Sequence, residues 1–129
     1  MRYLLALLAV MAVTVTVSAQ EILPFPVSLG DQAAAMTDKS TITSYIAEPV
    51  AADAVLSVKD VEGQIIVNIF PADENGVATQ GKQPLILLFD AASGKAISAN
   101  MQGTKPAAGW YLANVVGGGK TSRVTFQVK

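Results

Sequence analysis

From Thr41 to the C-terminus, apolar and β-branched runs are each broken within about ten residues by glycine, proline, asparagine or aspartate. No long stretch there keeps the 3.6-residue period of an amphipathic helix. A chain punctuated in this way buries its apolar residues most readily by stacking short strands into sheets. The last run is the clearest. Val124, Phe126 and Val128 alternate with Arg123, Thr125 and Gln127, which places the first set toward a core and the second toward water. It would pair with residues 109–116 across Gly117, Gly118 and Gly119, whose tolerance of positive φ suits a hairpin tip. Residues 54–59 and 64–70 flank Asp60, Val61, Glu62 and Gly63, the pattern of a hairpin with a four-residue connection. Residues 64–70 and 84–90 are apolar at successive positions, as central strands covered on both faces would be. Residues 41–47 and 95–101 complete the strand set. Residues 91–94 form a turn, and 71–83 and 102–108 are loops.

The N-terminal third reads differently. Residues 31–39 have some helical propensity over about two turns, so a loop or a short helix is expected there. Leu23, Phe25, Val27 and Leu29 alternate with Pro24, Pro26 and Ser28. Proline has no N–H to give a sheet ladder, so this segment is expected as an edge strand, marked by Leu23, Phe25 and Val27, or as an extended arm. Ahead of it, Arg2 precedes an uncharged apolar run from Tyr3 to Val17, then the small residues Ser18 and Ala19. That is the pattern of a secretory signal peptide cut between Ala19 and Gln20. A spanning helix wants about 20 apolar residues, and this run is shorter and has no basic cluster after it. The expected divisions are a signal peptide at 1–19, an extended arm and loop at 20–40, and a sandwich at 41–129. The fold expected is all-β: an immunoglobulin-like antiparallel sandwich of seven to eight strands, with a small barrel as second choice. Trp110 and Tyr111 open the penultimate strand, where sandwiches place a core aromatic and a corner tyrosine; two ordinary core residues would fit as well.

Composition removes much chemistry. The chain has neither histidine nor cysteine. The histidine-based triads, cysteine nucleophiles and Cys/His zinc sites therefore have no residues to use, and export brings no disulfide. Formal charge is −1, and signal cleavage would remove Arg2 and make it −2, which offers nothing to nucleic acid or anionic lipid. Gly119, Lys120 and Thr121 copy the end of a phosphate-loop motif. The motif's first glycine would fall on Asn114, and residues 122–129 alternate with period two where the motif requires a helix. Carboxylates remain: Asp60 with Glu62, and Asp73 with Glu74. They read as solvated turn residues, and the loop at 73–76 lacks the spacing of a calcium loop, so whether it takes Ca²⁺ stays open.

Residues 85–98 and 106–129 resemble the end of bacterial immunoglobulin-like sandwiches. They are similar in particular to the sorting domains that terminate type IX secretion cargo. Asp90, Gly94, Lys95, Gly109, Tyr111 and Lys129 match that family's pattern of a strand reaching an aspartate, a Gly-Lys turn, a G-x-Y step, a hairpin and a final lysine. The Pro-Asn-Pro opening common in the family is absent, and here the expected signal peptide leads almost directly into the sandwich. The resemblance implies the sandwich fold and an exported protein.

The function expected is a secreted or periplasmic, non-enzymatic protein-interaction module with no cofactor, no metal and no catalytic residues. Its partner would be another envelope or extracellular protein, not nucleic acid, with no stable membrane anchor after cleavage. Contact would use the loop Gly117, Gly118, Gly119 and Lys120, with residues 90–95 as a second loop, or strand addition along Leu23, Phe25 and Val27. The alternatives are a structural subunit of a surface fibre or matrix, and a calcium-dependent carbohydrate binder or small carboxylate-based enzyme.

Overall fold

A computed structural model describes residues 19–129. The signal-peptide expectation falls on residues outside these, apart from Ala19. A single helical turn, α1 (Ala19–Ile22), is followed by nine strands: β1 (Val27–Leu29), β2 (Gln32–Ala33), β3 (Ser44–Tyr45), β4 (Val55–Val58), β5 (Gln64–Pro71), β6 (Leu85–Asp90), β7 (Lys95–Ala96), β8 (Gly109–Gly117) and β9 (Lys120–Val128). They form two sheets, β2-β1-β4-β7 and β3-β9-β8-β5-β6. The described residues are all-β apart from that turn, and their sheets pack as a sandwich. The order β1-β4-β7 against β9-β8-β5-β6 is the A-B-E against G-F-C-C′ arrangement of immunoglobulin-type domains.

The core lies between the inner faces. Val27, Leu29, Leu56 and Val58 come from the smaller sheet. Ile65, Val67, Ile69, Leu87, Val115, Val124 and Phe126 come from the larger. Each set sits at alternate strand positions, so period-two patterning is what fills the interior. Tyr111 joins this core. Its ring stacks on Phe126 at 5.6 Å between centroids, and its hydroxyl donates to the Ala107 carbonyl at 2.7 Å. That is the corner tyrosine of a sandwich, fixing the chain as it enters β8.

Several expectations are corrected. Residues 54–59 and 64–70 do not form a hairpin: β4 pairs with β1 and β7, whereas β5 pairs with β6 and β8. The connection between them crosses from one sheet to the other. Asp60 supplies the bend with φ 59, a left-handed conformation that aspartate tolerates better than most side chains. Nor is the segment from Leu23 to Leu29 an edge strand or a free arm. β1 is flanked by β2 on one side and β4 on the other, so Val27 lies within a sheet. Leu23 packs against the core and Phe25 is buried in it. The prolines are accommodated because they precede the strand: Pro26 offers only its carbonyl, which accepts from Lys59 N–H at 3.1 Å. Residues 31–39 hold β2 and no helix.

The strands expected at 41–47 and 95–101 shorten to β3 and β7. β3 runs parallel to β9, so the sandwich is not purely antiparallel. β5 is central and β6 is an edge, yet neither is covered on both faces. Ile66 is 40% exposed and Leu88 half-buried. Conversely, Thr125 does not face water. It is fully buried beneath Thr43, whose hydroxyl lies 2.9 Å from its own, with Gly76 packed against the pair.

Candidate functional site

The two stretches singled out in the sequence meet at one end of the sandwich. There β8 turns into β9 through Gly118 and Gly119, both with positive φ (57° and 75°), between the paired residues Gly117 and Lys120. Two consecutive positive φ values define the tight hairpin turn whose twist matches the strands it joins. β9 starts at Lys120, so no helix N-terminus follows the glycines and the backbone presents no phosphate cradle.

Beside this tip runs the inter-sheet connection Asp60, Val61 and Glu62. Pro24 and Phe25 close the third side. The three segments line an open cleft of ≈ 590 Å³. A second, of ≈ 460 Å³, adjoins it across Pro24 and Lys120 and reaches Glu21 and Thr121. The arm is fixed here by Ser122, whose buried hydroxyl donates to the Phe25 carbonyl at 2.9 Å and accepts from its N–H at 3.4 Å. Pro26, bonded to Lys59, ties the same segment to the other sheet. The cleft wall is therefore braced by both layers.

The expected second loop, 90–95, reaches the same end. Ala91 N–H donates to the Gly63 carbonyl at 2.9 Å, and the Asp90 carboxylate accepts from Ala92 N–H. The loop buttresses the connection at 60–63 and does not line the cleft. Of the residues picked out beforehand, Gly117, Gly118, Lys120 and Phe25 line the cleft. Gly119 sits at the turn, and Leu23 and Val27 point to the core. Pro24 and Val61 were missed as lining residues. Nothing local marks them: Val61 reaches the cleft through the sheet switch at Asp60, and Pro24 through the bonds that fix Phe25 and Pro26 to Ser122 and Lys59.

The lining is mixed: apolar surface from Pro24, Phe25 and Val61, two exposed carboxylates from Asp60 and Glu62, and one exposed ammonium from Lys120. That composition suits contact with a protein segment carrying both apolar and polar groups. Elsewhere, the Asp73 carboxylate accepts from the N–H groups of Asn75 (2.9 Å) and Val77 (3.0 Å), a local turn bond. Among the described residues no group of three or more acidic side chains is placed to hold a metal ion, and no helix is long and apolar enough to cross a membrane.

The long sheet edge is occupied by the chain itself. On β6, Ile86 N–H donates to the Gln102 side chain, and the Ile86 carbonyl accepts from Met101 N–H. The Leu88 carbonyl takes the Lys95 ammonium at 3.3 Å, and the Asp90 carbonyl takes Ser93 N–H. These bonds use backbone groups that a docking strand would need. No protein-family model, curated protein or solved structure matches this chain.

Proposed function

We propose that this protein is a non-enzymatic interaction module of the periplasm or cell exterior. It holds another envelope or extracellular protein at the loop end of its sandwich. The observation that carries the reading is the cleft itself. Three segments distant in sequence, 24–25, 60–62 and 117–120, converge on one end and are braced from both sheets. Loops set on a rigid two-layer scaffold are where sandwiches commonly place recognition. Two further points favour docking here over strand addition. Of the segment expected as an edge, Val27–Leu29 lies inside a sheet and Phe25 is buried in the core, and the β6 edge is bonded by residues 93–102. Both also weigh against a fibre subunit built by strand exchange. The export side rests on the N-terminal apolar run and on the resemblance to sorting domains.

The test is capture from the protein's own cell envelope with the wild type and with Val61→Arg. Val61 is half-buried and packs against the margin of the core, so the variant is compared with the wild type only after circular dichroism shows the same fold. A specific partner retained by the wild type and lost by the variant is expected. Capture indifferent to Val61→Arg would sink the reading, as would retention of sugars only when calcium is present.

A further inference from the structure

A different surface carries a second site. The segment 36–43 leaves β2 and crosses the outer face of the five-stranded sheet. There the ammonium of Lys39 lies 5.4 Å from the centroid of the Tyr45 ring and 5.4 Å from that of Trp110. The two rings belong to strands, β3 and β8, that are not neighbours in sequence or in the sheet. Each ring is held: Tyr45 is buried, and its hydroxyl donates to the Glu74 carbonyl at 2.9 Å, while Trp110 sits in the β8–β9 ladder. The surroundings are negative. Burial, then the charges of Asp73 and Glu74, push the Tyr45 hydroxyl above its ordinary range, and those same carboxylates favour a cation over the rings.

The occupant is held less firmly than the site. Lys39 is exposed, and the hydrogen bonds near it are local: its own N–H donates to the Thr37 hydroxyl, and Ile42 N–H to the Ser40 hydroxyl. Lifting the ammonium off the rings would break no sheet ladder.

We propose that Tyr45 and Trp110 form a binding site for alkylammonium groups, either the lysine side chain of a partner or a quaternary ammonium, and that Lys39 is an internal occupant which an incoming cation displaces. A neutral apolar group has no such preference, because the attraction is to the ring faces and the nearby carboxylates. The site does not depend on docking at the loop end.

Trp110 is the chain's only tryptophan, so its fluorescence reports this site alone. The purified protein and Lys39→Ala would be titrated with tetramethylammonium, with Nα-acetyl-lysine amide, and with 3,3-dimethylbutanol as the neutral shape control. Lys39→Ala is expected to give a saturable response to at least one cation and none to the alcohol. The wild type should need roughly tenfold more cation, the cost of displacing a lysine from two rings. Which cation responds identifies the source. Lys39→Met, which keeps the bulk without the charge, should also bind more tightly than the wild type, and serves if the alanine variant loses its fold by circular dichroism. A folded variant with no saturable response, or with equal response to the alcohol, overturns the proposal. So does a wild type that binds as tightly as Lys39→Ala.

Discussion

The hydroxyls of Thr43 and Thr125 are fully buried on what the strand pattern makes the outer face of a sheet. They lie 2.9 Å apart, and Thr43 also donates to the Ser44 carbonyl at 3.0 Å. With that donation fixed, the Thr125 hydroxyl donates to Thr43. Thr43→Val then leaves the Thr125 hydroxyl buried without an acceptor, a desolvation cost of about 1–3 kcal/mol. Thr125→Val removes one donor and leaves Thr43 with its bond to Ser44, so only about 0.5–1.5 kcal/mol is lost. The double variant strands no hydroxyl. It should cost less than the two singles together by about 1–2 kcal/mol, which is the coupling energy of a bonded pair. Urea unfolding of the four proteins, with unchanged slopes, measures this directly. Additivity to within about 0.5 kcal/mol would show that the hydroxyls are solvated or separately bonded, and that the outer face is not closed over them.

Three other outcomes follow from the same geometry. Gly76 has φ +79, and a Cβ there would meet the Thr125 hydroxyl at 2.6 Å and the Thr43 methyl at 2.7 Å. Gly76→Ala should therefore destabilise by about 2–4 kcal/mol, combining left-handed strain with overpacking, and thermal melting that shows no loss would contradict it. Tyr111→Phe removes the bond to Ala107 from an exposed carbonyl that water can serve, so about 1 kcal/mol should be lost, or about 3–6 °C in Tm. Burial raises the hydroxyls of Tyr45 and Tyr111 above 10.0; Asp73 and Glu74 raise Tyr45 further, while the bond to Ala107 partly offsets the rise at Tyr111. A raised phenol binds its proton more tightly folded than unfolded. Its contribution is whole below pH 10 and is lost as pH climbs through the folded values, so Tm should fall across that alkaline window while tyrosinate absorbance lags that of a free tyrosine amide.

Alternation and punctuation revealed the strands because both are local. The inward set of β9 and the glycine tip are legible in the sequence; Tyr111 is legible only as a corner tyrosine or a core residue, and its bond to Ala107 decides between them. Partnership is not legible there. A four-residue connection after residues 54–59 looks the same whether the next strand pairs with the last or joins the opposite sheet. Here the long-range pairing of β4 with β1 and β7 decides it. Periodicity likewise assigns a side, not an exposure. Thr125 points outward and is still buried, because the loop at Gly76 and Thr43 folds over it. The cleft inherits this: Gly117, Gly118 and Lys120 carry a turn signature, whereas Val61 becomes a lining residue only through the sheet switch and Pro24 only through the long-range bonds of Phe25 to Ser122. Lys39, Tyr45 and Trp110 share no local pattern at all, and only the outer face brings them together.

The most direct measurement is a hydroxyl-radical footprint of the protein with and without its captured envelope partner. Protection concentrated on Pro24, Val61 and Lys120, with β6 and its covering segment unchanged, is the expected result. A footprint that leaves those residues as reactive as in the free protein, and protects a sheet edge instead, would contradict the proposal that the loop end is a docking site.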